Sequence, residues 1–118
     1  MHRMTITQGL FITALTVALV AGAPGVARSQ DAAKGQQVYA AQKCGVCHAI
    51  AGKGGKASPL DGVGAKLSAA DIKEWIVDPV ASAKKANSTK KPPMPKKYDK
   101  LAAADIDNLV AYMASLKK

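Results

Sequence analysis

Cys44, Cys47 and His48 stand together in the run CGVCH and account for both cysteines and one of the two histidines in the 118-residue chain. Four kinds of chemistry use such a run: a disulfide, a redox dithiol, a zinc site, or covalent attachment of a haem. A disulfide between Cys44 and Cys47 would suit an exported protein, yet it would close a tiny loop and constrain little. A redox dithiol belongs in a βαβ setting, and no strand pattern is visible here. A structural zinc site needs four ligands. The other histidine, His2, lies in a leader-like segment, so the nitrogen and sulfur ligands run out at three. The pattern C-x-x-C-H is the attachment signature of c-type haem. Two thiols three residues apart on a helical turn point to one side, where they can add to the two haem vinyl groups. His48 follows at once and can come under the iron as its proximal ligand.

The other face of the iron needs a second ligand. Beyond the leader there is no second histidine, so bis-histidine ligation within the chain is excluded. Two methionines remain. Met113 falls on a helical apolar stripe, where a core role is the default. Met94 falls in PPMP, 46 residues beyond His48, between prolines that fix an extended backbone. A strap stiffened in this way can hold a thioether at an iron, so Met94 is the candidate ligand.

These residues must be positioned by short helices and long loops. A helix is predicted from Asp31, as cap, to about Gln42; Gly35 within it implies a packing reason. From Ala51 to Ala65 the chain reads AGKGGKASPLDGVGA, whose five glycines and one proline predict a wrapping loop. Ser68 with Asp71 predicts a capping box opening a helix that carries Ile72, Trp75 and Ile76 on one face. Asp78-Pro79 ends it. A short helical turn around Ala81–Ala86 leads to a lysine-rich segment, extended beyond Lys90. A last helix from about Ala103 to Leu116 carries Ile106, Leu109, Val110, Met113 and Leu116, with Tyr112 at the edge of the stripe. KLSAADI at Lys66–Ile72 and KLAAADI at Lys100–Ile106 read as two helix starts with the same punctuation; the second, with Ala102 in place of Ser68, has the weaker cap. The expectation is an all-α domain.

Ahead of this domain, His2 and Arg3 lead into the charge-free run Gly9–Ala23, followed by small residues up to Gln30. That is the pattern of a secretory signal, residues 1–30, with cleavage near residues 23–30. The alternative is a single N-terminal membrane anchor. The remaining residues, 31–118, form one domain. With aromatics at 4% its core is thin, which a bulky covalent cofactor would relieve. Residues 31–118 hold 15 lysines and no arginine against 8 carboxylates, a net +7. Without interleaved aromatics or bidentate arginines this is no nucleic-acid surface. It reads either as a solvated face or as a face for acidic protein patches or an anionic membrane surface.

From about Ala33 to Lys117 the chain closely resembles the small class I cytochromes c of bacteria. The resemblance rests on GQQVYAAQKCGVCH, SPLDGVG, the Trp75 helix with its Asp78-Pro79 end, PPMP and DIDNLVAYMASL. It implies three main helices and loops wrapped around one covalently bound haem, with His48 and Met94 as axial ligands. It further implies that Gly35 and Tyr39 mark where the first helix crosses the last, near Leu109 and Tyr112. By the same resemblance the Pro59 carbonyl accepts the second ring N–H of His48, Leu60 packs on the haem and Trp75 approaches a propionate, unless Trp75 is simply a core residue. Ser58 and Ala102 depart from the family's usual glycine and capping Ser or Thr.

An iron closed on both faces has no open site for substrate. The implied function is therefore one-electron transfer between Fe(III) and Fe(II), not catalysis, in a monomeric periplasmic protein or one anchored facing the periplasm. Its partners would be an oxidase, dehydrogenase or reductase with acidic docking faces. Lys43, Lys53, Lys56, Lys90, Lys91, Lys96 and Lys97 are the docking candidates. The competing readings are a gas-binding or catalytic haem module with a labile sixth ligand, and a haem subunit of a larger respiratory complex.

Overall fold

A computed structural model describes residues 30–118. The expected signal segment, residues 1–30, lies outside the described residues but for Gln30. Among those described, no helix is long and apolar enough to cross a membrane.

Five α-helices carry the domain: α1 Ala32–Ala41, α2 Val63–Lys66, α3 Ala69–Val77, α4 Pro79–Lys85 and α5 Ala103–Ser115. The packing of α1 on α5 organises the rest. Asp31 caps α1 by accepting from the Ala33 and Lys34 amides at 2.9 and 3.1 Å. Its own amide donates to Asn108 Oδ1 on α5 at 3.0 Å, so the cap is also a staple between the two helices. Gly35 lies at the crossing. A Cβ there would overlap the Asn108 carbonyl and come within 2.7 Å of Tyr112 Cβ. The expected close approach is present, with the Asn108 carbonyl nearest the glycine and Tyr112 beside it, as expected. One turn on, Tyr39 meets Tyr112 edge to face, with ring centroids 5.7 Å apart.

The apolar stripe of α5 buries Ile106, Leu109, Val110 and Met113 against Ile72 and Ile76 of α3 and against Tyr98. Ser68 makes the expected capping box with Asp71. Trp75 departs from the one-face expectation. It is half-buried and lines a shallow groove with Leu67, Ser82 and Ala86. At 3.6 residues per turn it stands roughly 60° round the helix from Ile72, at the edge of the stripe, which turns it toward α4.

The Asp78-Pro79 step does more than end α3. The Asp78 amide closes α3 on the Glu74 carbonyl at 2.7 Å, and its carboxylate caps α4 through the Ala81 amide at 3.3 Å. Pro79 then occupies the first position of α4, where a missing N–H costs nothing. The helix is accordingly longer than the single turn expected around Ala81–Ala86.

One correction concerns the glycine-rich stretch, which is not wholly irregular; the domain is mostly helical, as expected. β1 Ala49–Ile50 pairs antiparallel with β2 Lys53–Gly54, in the register Ala49 with Gly54 and Ile50 with Lys53. The hairpin turn places Ala51 and Gly52 at φ 51° and 75°, the left-handed geometry of a two-residue turn. A two-residue ladder is too short to show alternation in sequence. The single turn of α2 is held from outside: Gly64 N–H donates to Leu116 O, and Lys117 Nζ donates to Gly64 O, both at 2.8 Å.

Candidate haem-attachment site

The end of α1 delivers the CGVCH segment. Lys43, at φ 56°, reverses the chain and starts a 3-10 turn at Cys44–Val46. Cys47 and His48 both donate their amides back to the Cys44 carbonyl, at 3.2 and 3.0 Å. The two cysteines are thus fixed on one helical turn, as their spacing predicts. Both are free thiols; Cys44 is half-buried and Cys47 exposed.

Three contacts hold His48. Its ring Nδ1 lies 2.8 Å from the Ser58 carbonyl oxygen. A carbonyl only accepts, so Nδ1 carries the proton and Nε2 keeps its lone pair for a metal. The Tyr39 hydroxyl donates to the His48 carbonyl at 3.1 Å, and the amide is tied to Cys44. The ring's acceptor is Ser58, which corrects the expectation of Pro59. A residue before proline is pushed to extended backbone, so the Ser58 and Pro59 carbonyls do not share a direction, and it is the earlier one that reaches the ring. Pro59 itself is exposed. Leu60 is half-buried, packs on the core, and donates its amide to Ala49 O at 2.9 Å, beside His48.

The glycine loop acts as a cradle for the attachment segment. Gly55 N–H donates to Gly45 O at 2.8 Å. A Cβ on Gly55 would overlap the Val46 carbonyl, and one on Gly54 would overlap the His48 carbonyl and come within 2.8 Å of Gly45 O. The loop backbone therefore lies directly on the CGVCH backbone. Gly54, Gly55, Ser58 and the Tyr39 hydroxyl were not singled out from sequence as parts of this site. The adjacent glycines of GKGG were the available signal, since paired glycines mark close backbone approach.

Met94 lies on the segment that joins α4 to α5. From Lys84 to Lys97 every residue is exposed except Met94, which is half-buried and packed on the core. Tyr98 follows at once, inside the core and at the start of the 3-10 turn Tyr98–Lys100. Electrostatic coupling ties that turn to the cysteines. Burial raises the Tyr98 phenol, with Cys44 and Cys47 adding to the effect. Burial likewise raises the Cys44 thiol, opposed in part by Lys97. The Tyr39 phenol is pushed up to about 12, by burial first and then by Cys44 and Tyr112. The structure thus brings together Cys44, Cys47, His48 and Leu60, and sets the segment after Met94 beside them. Trp75 stands on the α3–α4 side. Met113 is buried in the core, as its stripe predicts.

These donors suit a covalent haem. Two free thiols sit on one turn, followed by an imidazole whose Nδ1–H is occupied and whose Nε2 is available. A sequence model described as Cytochrome c matches residues 32–117. No curated protein and no solved structure matches the chain.

Proposed function

We propose, for a chain that belongs to the cytochrome c family, a periplasmic one-electron carrier whose haem iron is held between His48 and Met94. The family is one of haem electron carriers, usually non-catalytic, and its haem c is attached here through Cys44 and Cys47 with His48 adjoining them. When bound, the haem supplies a reversible Fe(III)/Fe(II) couple.

What the chain's own residues do follows from their contacts. The Ser58 carbonyl fixes the imidazole tautomer and orientation, and by accepting from Nδ1–H it makes Nε2 a better donor. Cys44 and Cys47 would fix the position of a bound haem relative to that ring. The observation that supports Met94 as the opposite ligand is its inward turn from an otherwise exposed, proline-held strap. A thioether donor favours the reduced state and raises the potential. Leu60, beside His48, and Met94 would keep water from the iron. Pro59 and Trp75 remain candidates for haem contact at the periphery, Trp75 from the α3–α4 side.

The test is spectroscopic. Oxidised holoprotein should show the weak red-region band of a methionine–Fe(III) bond, and ferrous protein should bind CO slowly. Met94→Ala should abolish the band, lower the potential and admit exogenous ligands. Met113→Ala should keep the band and cost about 2–5 kcal/mol of stability. Rapid CO binding by the unaltered ferrous protein would instead indicate a gas-binding or catalytic module.

Redox protein partners follow from the family. Acidic docking faces on those partners are the finer proposal. Lys43, Lys53, Lys56, Lys90, Lys91, Lys96 and Lys97 are all exposed. Lys96 pairs with Asp78, and Lys97 lies over the Tyr98 ring at 5.3 Å. Export by the N-terminal segment, a monomeric state and weak contact with anionic membranes belong to the same proposal.

A further inference from the structure

The strap that carries Met94 is weakly anchored by its backbone. Pro92, Pro93 and Pro95 have no N–H to donate. At its entry, Ser88 N–H donates to Ala83 O at 2.9 Å, and a long local contact of 3.4 Å joins Lys90 N–H to Ser88 Oγ. Beyond it, the polar tie from the Met94 segment to the helical body is Lys96 Nζ to Asp78 Oδ2, at 3.5 Å. Lys96 is two residues past Met94.

Asp78 is fixed in a way few surface carboxylates are. Its amide closes α3, its carbonyl accepts from Ser82 N–H at 3.1 Å, and Oδ1 caps α4. The next residue, Pro79, is fully buried. With Oδ1 committed to the cap, Oδ2 is aimed by the α3–α4 corner and not by a free rotor.

We propose that Asp78 is a positioning residue for Met94, acting through Lys96 to hold the strap against the helical body. The proposal rests on the reading of Met94 as the iron's second ligand. A thioether is a neutral and weak ligand, so the time it spends on the metal depends on how firmly the strap is held. Proline stiffness sets the strap's shape but not its distance from the body. The Asp78–Lys96 pair adds a second constraint to the packing of Met94 on the core.

The experiment is the rate at which neutral imidazole binds the oxidised holoprotein, a step that requires Met94 to leave the iron. Asp78→Asn keeps the cap, since asparagine caps as well as aspartate, and removes the charge that holds Lys96. Asp78→Asn and Lys96→Gln should each raise the rate about two- to fivefold at low salt, the size expected of a half-exposed pair. The double variant should go no further than either single one. Added salt should raise the unaltered protein's rate toward that of the variants and leave the variants' rates flat. Lys85→Gln, which breaks the neighbouring pair with Glu74, should leave the rate unchanged. Equal rates in all variants would overturn the proposal, as would an increase with Lys85→Gln as large as with Lys96→Gln. The red-region band separates the two readings. If Met94→Ala leaves the band in place, the ligand assignment falls and takes this proposal with it. If the band depends on Met94 while the rates do not move, the positioning role alone falls.

Discussion

Gly35 shows how much a single position can decide. In a helix interior, alanine is normally better than glycine by about 1 kcal/mol. Here the added methyl would meet the backbone carbonyl of Asn108, which belongs to a helix and cannot step aside. Gly35→Ala should therefore destabilise the holoprotein by about 1–3 kcal/mol or more, as overpacking does. Thermal or denaturant unfolding measures it. An unchanged midpoint would mean that α1 and α5 separate more easily than their contacts imply. Sequence marked Gly35 as costly and therefore purposeful, and the resemblance set the crossing near Leu109 and Tyr112; Tyr112 is there, with the Asn108 carbonyl as the nearest group. The His48 ring partner was expected to be Pro59, where the structure has Ser58. That error is of one residue. Composition and spacing identify the segment that must come close, while backbone direction, set by φ and ψ, selects the atom.

The helix starts give a cleaner comparison at the next scale. KLSAADI and KLAAADI open α3 and α5, and the structure gives the first a reciprocal capping box and the second no side-chain cap. Ala102→Ser would copy the first start onto the second, with Asp105 in the place that Asp71 holds. It should stabilise the protein by about 1 kcal/mol, read as a rise in the unfolding midpoint. The cap of α3 also carries a pH signature. The Ser68 hydroxyl, and then its backbone amide, hold the Asp71 carboxyl below the ordinary aspartate value. A depressed native value means that the unfolded chain binds the proton first as pH falls. The contribution is therefore complete above about pH 4 and is lost as pH falls through the lower native value. Asp71→Asn should flatten the acid limb of the stability curve below that pH and leave the neutral region's slope unchanged. The elements that sequence missed, the β1–β2 ladder and α2, are two and four residues long. Neither has enough length for a period. α2 is moreover held by partners distant in the chain, Leu116 and Lys117.

For the whole molecule the governing quantity is charge. Residues 31–118 carry a net +7, all of the positive charge being lysine. Exchange with a small anionic redox complex should be faster than with a cationic one of similar potential. The difference should shrink as salt screens it. Charge reversal at exposed Lys43, Lys53 and Lys90 should slow the anionic reaction and flatten its salt dependence, by stopped-flow. Equal salt slopes for both complexes would leave the lysines as a solvated face and nothing more.

The chemistry was decided by the sequence alone. CGVCH contains all the thiols and the one histidine of residues 31–118, and counting ligands is independent of how the chain folds. The helix starts and stops were also legible, because caps, prolines and apolar stripes act over a few residues. Tertiary structure decided what these local signals share. It laid the Gly54–Gly55 backbone on the attachment segment, gave the His48 ring to the Ser58 carbonyl, turned Met94 alone inward from its strap, and set Lys96 against the α3–α4 corner. Each of these joins residues six or more apart in sequence. Such contacts depend on the summed directions of every intervening backbone dihedral, which no local pattern of side chains records.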